Sequence, residues 1–355
     1  MNPEIKQLRD KLKGLKIDGM IVSNPISVKY LTGLNAEGIL LIDPKENVFI
    51  TDGRYIEQVN NLLTIDSEII AYDSKSMDKY DYEAFFSMCE NVGFEEKYVT
   101  YEDYKNYLQV FKVNLVETEG IIESQRIVKE DYEIEKIKKA CEIADKGFEY
   151  IIKNIKKGMT EKQIAYNLNN YMLENGAEDI AFDTIVASGP NSSMPHAVPS
   201  NRVIEENDII LFDFGAKYEG YLSDLSRTVF VGTPTKKQEE VFKFVLEQQE
   251  KVIKNFKEGT NMKTILKNRE MDYKLAGYDI IHSFGHGVGL EIHEAPRLKS
   301  EVDGFLKKNS IITVEPGVYL PGEFGVRIED TCLIEKDRCI TLTKCNKDMI
   351  NIKLV

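Results

Sequence analysis

The chain has 355 residues, 42% apolar and 30% charged, a composition that suits a soluble globular protein with room for two domains. Its 46 basic residues against 59 acidic ones leave a net charge of −13, which repels phosphate backbones and argues against nucleic acid as a partner. No apolar run approaches the ~18 residues of a membrane span, and nothing at the N-terminus reads as a secretory signal.

The five cysteines (Cys89, Cys141, Cys332, Cys339 and Cys345) are odd in number and form no CxxC pair. Free thiols in a reducing cytoplasm are expected, used mainly for core packing. Along the chain, Ile5, Leu8, Leu12 and Leu15 predict a first amphipathic helix. Apolar strands follow at Gly19–Val22 and Gly38–Ile42. The turn-rich run Asp43–Asn47 predicts a hairpin into Val48–Ile50. Further helix and strand alternation makes residues 1–124 an α/β domain with little visible chemistry.

Polar residues 123–130 lead into a long helix whose apolar stripe is Ile134, Ile137, Cys141, Ala144, Phe148, Ile151 and Ile155. The domain boundary is placed there. Thr160 and Gln163 fit a capping box opening a second helix that stops near Gly176. Strands are expected at Phe182–Val186 and Ile209–Phe214. A turn around Tyr218–Gly220 then returns the chain through Tyr221 to Val231. Helices near 234–256 and 261–276 precede the last strands. This order suits an α+β domain over residues 125–355, an antiparallel sheet covered by helices.

The chemistry concentrates in this second part. All four histidines lie between positions 196 and 293. Asp213 and Asp224 flank a hairpin that can bring both carboxylates to one face. Solvated loop acids are the plain alternative, but Asp213 follows the apolar run Ile209–Phe212, and a buried unpaired carboxylate demands a cation or strong donor. His282, His286 and His293 are interleaved with Gly285, Gly287 and Gly289, a composition suited to a rigid loop at a ligand. Glu315 ends an apolar strand at Glu-Pro-Gly. Arg327 and Glu329 alternate onto one strand face, where an exposed Arg–Glu pair is the plain alternative. Four carboxylates with one imidazole form a hard donor set suited to Mn²⁺, Co²⁺ or Zn²⁺. Crowded carboxylates fit two divalent ions better than one.

Together these segments closely resemble the pita-bread metallopeptidase family, which includes methionine aminopeptidase, aminopeptidase P and prolidase. The segments that carry the resemblance are Asp213/Asp224, Gly285–Gly289 with trailing His293-Glu294, Val314-Glu-Pro-Gly317 and Arg327-Ile-Glu329. The front half resembles the creatinase/prolidase-type N-terminal domain through Asn24-Pro25, Tyr30-Leu-Thr-Gly33 and Thr51-Asp-Gly-Arg-Tyr55. Methionine aminopeptidases lack that domain, so the resemblance points to the Xaa-Pro branch.

The resemblance implies that Asp213 holds one metal, His286 and Glu315 the other, with Asp224 and Glu329 bridging. It also implies that His293 and His196 sit at the substrate, that His282 relays a proton, and that Arg327 orients a carboxylate ligand. Phe284 stands where an aliphatic residue is more usual. The expected reaction is release of the first residue before proline by a metal-bridging hydroxide, with Glu315 taking the water proton. An Xaa-Pro aminopeptidase is the leading expectation and an Xaa-Pro dipeptidase (prolidase) its alternative. The other rivals are a non-catalytic pita-bread binding module and a metal-free, creatinase-like hydrolase. Both of those branches lack the metal carboxylates that this chain keeps. A homodimer is implied by the same resemblance.

Overall fold

The computed structural model describes residues 3–63, 68–77 and 79–354. They form two compact units, one through Gln125 and one from Arg126 onward. Among the described residues no helix is long and apolar enough to cross a membrane.

The first unit opens with α1 (Pro3–Gly14), which buries Ile5, Leu8 and Leu12 at helical spacing. Leu15, the expected fourth member of that stripe, is instead 60% exposed. Gly14 ends the helix and Lys16 adopts a left-handed φ of 61°, so the periodicity cannot continue. The chain continues through β1 (Gly19–Val22), α2 (Pro25–Thr32), β2 (Gly38–Ile42), β3 (Asn47–Thr51), α3 (Ile56–Leu62) and β4 (Ile69–Asp73). It then runs through α4 (Lys79–Phe85), β5 (Asn91–Phe94), α5 (Tyr101–Phe111) and β6 (Asn114–Glu117). The sheet order is β4-β3-β2-β1-β5-β6, antiparallel from β1 to β3 and parallel in the outer pairs. The expected hairpin is closed by Asp43 Oδ1, which accepts from the Lys45 and Glu46 amides at 2.6 Å each.

A short α6 (Glu123–Arg126) precedes α7 (Asp131–Asn154) and α8 (Glu161–Glu174). The predicted Thr160/Gln163 capping box is present at the start of α8. Next come β7 (Asp179–Ile180), β8 (Ile185–Ser188), β9 (Ile209–Phe214), β10 (Ala216–Tyr218), β11 (Tyr221–Leu222) and β12 (Leu225–Val231). The strand expected at Phe182–Val186 starts at Ile185 instead. β7 pairs with β10 while β8 pairs with β9, so Phe182 to Thr184 step between two ladders and face a cavity. The remainder is α9 (Lys236–Asn255), α10 (Met262–Ala276), β13 (His286–Gly287), β14 (Glu294–Arg297), β15 (Ile311–Val314), β16 (Gly317–Leu320), β17 (Phe324–Arg327), β18 (Asp330–Ile334), β19 (Cys339–Thr341) and β20 (Ile350–Ile352).

Two sheets each take a helix pair. In the order β20-β12-β9-β8, Phe212 and Phe214 of the sheet pack with Phe148, Ile151, Leu168 and Met172 of α7 and α8. In the order β14-β13-β15-β18-β19, Ile312, Val314 and Cys332 pack with Val241, Val245, Leu266 and Tyr273 of α9 and α10. Each such buried side chain contributes about 1.5–3 kcal/mol. The pairs are antiparallel except β12 with β20. Cys141, Cys332 and Cys345 are buried, and all five thiols are free.

Candidate metal centre

The site forms where β12 meets the segment from Arg327 to Thr331. Glu329 N donates to Ser226 O at 3.0 Å. Thr228 Oγ1 donates to Arg327 O at 2.9 Å, and Thr331 Oγ1 donates to Asp224 O at 2.7 Å. These bonds join strands that are a hundred residues apart in sequence and set Asp224 beside Glu329. Asp213 arrives from β9, where its cross-strand partner is Ser226. Asp224 lies immediately before β12, where its carbonyl is held by Thr331 Oγ1. Glu315 N donates to Phe284 O at 2.9 Å, and His286 N donates to Thr313 Oγ1 at 3.1 Å. The histidine loop is thereby zipped to the end of β15.

Every residue singled out from the sequence lines one cavity of about 790 Å3 in the second unit: His196, Asp213, Asp224, His282, His286, His293, Glu315, Arg327 and Glu329. His286 is buried, and its Nδ1 lies 3.0 Å from Gly287 O. A carbonyl only accepts, so Nδ1 carries the proton and the lone pair sits on Nε2. That lone pair faces Asp224 at 3.5 Å and Glu315 at 3.4 Å. Burial pushes the His286 pKa down to about 4, so the ring is neutral. One ligand atom each from Asp224, His286 and Glu329 falls within 4.8 Å of the others.

The carboxylates are held at a cost. Burial, then repulsion from Glu329, raises both Asp224 and Glu315 well above the usual carboxylate range. Glu329 is pushed up to about 8 by burial and then by Asp213. Asp213 Oδ1 and Glu329 Oε1 are buried with no hydrogen-bond partner. Buried oxygens without donors, opposite an imidazole lone pair, are what a divalent cation requires and what an empty hydrogen-bond network would not tolerate. The donor set fits metal.

Arg327 and Glu329 are both buried, which removes the plain alternative of an exposed pair. β17 ends at Arg327 and β18 begins at Asp330, so the two side chains share the cavity through a break between strands rather than through alternation. Arg327 Nη2 binds Asp213 Oδ2, and Nε donates to Ser226 Oγ at 2.9 Å. Ser226 Oγ donates in turn to Glu329 Oε2 at 2.7 Å. Arg327 Nη1 also donates to Tyr319 OH at 2.7 Å. Tyr319 OH lies 2.8 Å from His282 Nε2, while His282 Nδ1 donates to Ser283 O, also at 2.8 Å. The tyrosine proton therefore points at His282. His282 Nδ1 is 3.7 Å from Glu315, and burial, then Arg327, lowers its pKa to about 4. His293 meets His286 edge to face at 4.4 Å, and both His293 and His196 are exposed at the cavity mouth.

Two contributors carry no sequence signal of their own. Ser226 and Tyr319 belong to strands that read as core. Glu294 accepts from Arg126, from Lys129 Nζ at 3.0 Å and from the Leu290 and Glu291 amides, fixing the loop that bears His293. Two of the three loop glycines allow the close backbone approach expected of them. A Cβ on Gly285, whose φ is +151°, would stand 2.1 Å from Thr313 O, and one on Gly287 would stand 2.2 Å from Ala295 O. They admit neighbouring backbone and so fix the loop that carries His286. Phe284 is explained by Tyr273, whose ring it meets edge to face at 5.8 Å.

The chain is similar to known proteins along nearly its whole length. The chain is 36% identical to an Xaa-Pro dipeptidase of Pyrococcus horikoshii across 99% of both chains. Its structure matches the Xaa-Pro dipeptidase from Bacillus anthracis with a TM-score of 0.93 at 36% identity, covering 98% of this chain and 99% of the other. It also matches an X-Pro aminopeptidase from Thermotoga maritima with a TM-score of 0.89 at 33% identity, over 98% and 99%. The Creatinase/Prolidase N-terminal domain matches residues 4–128, and Metallopeptidase family M24 matches residues 135–336. With the pita-bread second unit and its carboxylate–imidazole cluster, the chain belongs to metallopeptidase family M24, a family whose chemistry uses divalent metal ions.

Proposed function

We propose that this protein is an Xaa-Pro dipeptidase, with Asp213, Asp224, His286, Glu315 and Glu329 holding two divalent cations. The observation that carries the metal site is the pair of donorless buried oxygens, Asp213 Oδ1 and Glu329 Oε1, in the cavity that also holds the His286 lone pair. Its oxygen-rich donors favour Mn²⁺, with Co²⁺ or Zn²⁺ as alternatives. When bound, the ions supply Lewis-acid polarisation and an ionised water at neutral pH.

The chain's own groups do the rest. Glu315 accepts the proton of the attacking water and passes it on. His293 and His196 at the mouth steady the substrate and the proline nitrogen as it takes up a proton and leaves. His282 communicates with Arg327 through Tyr319 OH, and Arg327 keeps Asp213 in place. The homodimer and cytoplasmic setting expected from the sequence belong to the same reading.

Two things favour the dipeptidase over the aminopeptidase expected first. The dipeptidases of Pyrococcus horikoshii and Bacillus anthracis are each 36% identical, against 33% for the aminopeptidase. The cavity also offers Arg297 beside His293, whereas Arg327 is committed to Asp213. A cation there suits the free carboxylate that only a dipeptide presents next to the scissile bond.

The decisive assay compares an Xaa-Pro dipeptide with an Xaa-Pro-Xaa tripeptide after chelation and after adding back Mn²⁺. We expect metal-dependent cleavage of the dipeptide alone. Preferential tripeptide cleavage would restore the aminopeptidase reading, and activity that survives chelation would remove the metal role. Replacing Arg297 with Ala should raise KM for the dipeptide about tenfold and leave kcat much less affected. An unchanged KM would dismiss Arg297 as the carboxylate partner.

A further inference from the structure

The wall of the cavity that carries His196 is one loop, and its two ends converge on a single buried carboxylate. Glu161, at the start of α8, is fully buried. Its Oε1 accepts from Ser188 N and Ser188 Oγ, each at 2.7 Å. Its Oε2 accepts from Ser200 N at 2.9 Å and Ser200 Oγ at 2.6 Å. Asn191 Nδ2 reaches both oxygens, at 3.1 and 3.2 Å. Ser188 and Ser200 open and close the loop. Between them, five consecutive residues from Pro195 to Pro199 line the cavity.

Other side-chain hydrogen bonds hold the upstream half of this loop. Gly325 N donates to Ser192 Oγ at 2.9 Å, and Arg327 Nη1 donates to Pro195 O at 3.1 Å. Downstream of Pro195, Ala197 packs in a buried cluster with Leu211 and Tyr319 and Lys162 N donates to Ser200 O at 3.1 Å, while His196 and Val198, the latter 82% exposed, face outward. Glu161 Oε2 supplies the side-chain anchor on the far side of His196, gripping both Ser200 N and Ser200 Oγ. Although burial pushes its carboxyl up, the donors of Ser200 and Ser188 hold Glu161 below the usual range, so it serves as an anionic clamp.

We propose that Glu161 is a positioning residue for substrate recognition, acting through His196 by clasping both ends of the cavity-wall loop from Ser188 to Ser200. It touches neither the cluster nor the substrate. Glu161→Gln is the informative variant, because a carboxamide keeps the shape but turns a donor toward one of the two serine ends. Hydrogen exchange across 196–200 should rise at least about tenfold, with β9 and β12 unchanged. The kcat/KM for the dipeptide should fall about tenfold, mostly through KM, with the stoichiometry of Mn²⁺ binding unaltered.

The effect should vanish in a His196→Ala background, because two changes that act through one side chain do not add. Equal losses with and without His196, or unaltered exchange in the loop, would overturn the proposal. Should Glu161→Gln fail to fold, Ser200→Ala removes one donor of the clasp, and its 196–200 segment must show the faster exchange. Only the kinetic arm rests on the dipeptidase reading. A wild-type protein that cleaves no Xaa-Pro dipeptide counts against that reading, while exchange, which needs no substrate, still decides the role of Glu161.

Discussion

Replacing Glu329 with Gln is expected to abolish dipeptide hydrolysis and, in the same protein, to raise the melting temperature of the metal-free form. The two effects have one origin. Glu329 sits among Asp213, Asp224 and Glu315, and its Oε1 has no donor. Without cations that arrangement costs folding free energy. A carboxamide is neutral without the proton uptake that a carboxyl pushed up to about 8 requires on folding near neutral pH, leaves an acceptor for Ser226 Oγ and offers N–H donors to the neighbouring carboxylates. Relief on the order of 1–2 kcal/mol corresponds to roughly 2–8 °C in a unit of this size.

Activity responds in the opposite sense. Losing an outer hydrogen-bond partner of a metal ligand costs about 10–100-fold, so losing a ligand itself costs more than about 100-fold. Thermal unfolding of the chelated wild type and variant, paired with Mn²⁺ titration by calorimetry, checks both halves. A variant that is less stable without metal, or that binds Mn²⁺ with undiminished affinity, would contradict the assignment of Glu329 as a metal ligand.

The largest stability loss is expected from Arg227→Leu. Arg227 is almost fully buried and pairs with Asp330 at 2.7 Å. It also donates to four backbone carbonyls, those of Ser226, Glu329, Cys345 and Asn346. Burial pushes Asp330 up, but Arg227 and Lys347 outweigh it and hold its carboxyl down at about 2. Removing one partner strands the other, at about 3–5 kcal/mol.

Urea unfolding measures the loss directly. The double variant Arg227→Leu/Asp330→Leu should recover part of it, because an apolar pair carries no desolvation debt. A loss below about 1 kcal/mol would mean that the remaining partners of Asp330, Gln249, Thr343 and Lys347, suffice alone. Since Arg227 grips the carbonyls on both sides of the seam, at Ser226 and Glu329, weaker Mn²⁺ binding should accompany the destabilisation.

Much of this protein could be read without coordinates. The apolar stripe of α7, the capping box of α8 and the β2–β3 hairpin depend on neighbours within a few residues, and local chemistry specifies them. The candidate ligands were also legible, because histidine and carboxylate in apolar or glycine-rich settings are expensive unless something binds them. Where local pattern failed, tertiary pairing had taken over. Leu15 fell beyond a helix that Gly14 had already ended, and Phe182 to Thr184 left their strand to cross between two ladders.

What only the folded chain decided is how the residues address one another. Arg327 and Glu329 read as one alternating strand, yet a strand break delivers both into the cavity. Ser226, Tyr319, Arg227 and Glu161 have no spacing that marks them. Their roles exist only because the β12 seam and the Ser188–Ser200 loop bring distant donors onto one acceptor. Residue type and order determine which groups can bind a cation, since that chemistry belongs to each side chain. Which of them meet in one cavity, and what holds each at its angle, is a property of hydrogen bonds between segments a hundred residues apart, and such bonds leave no period in the sequence.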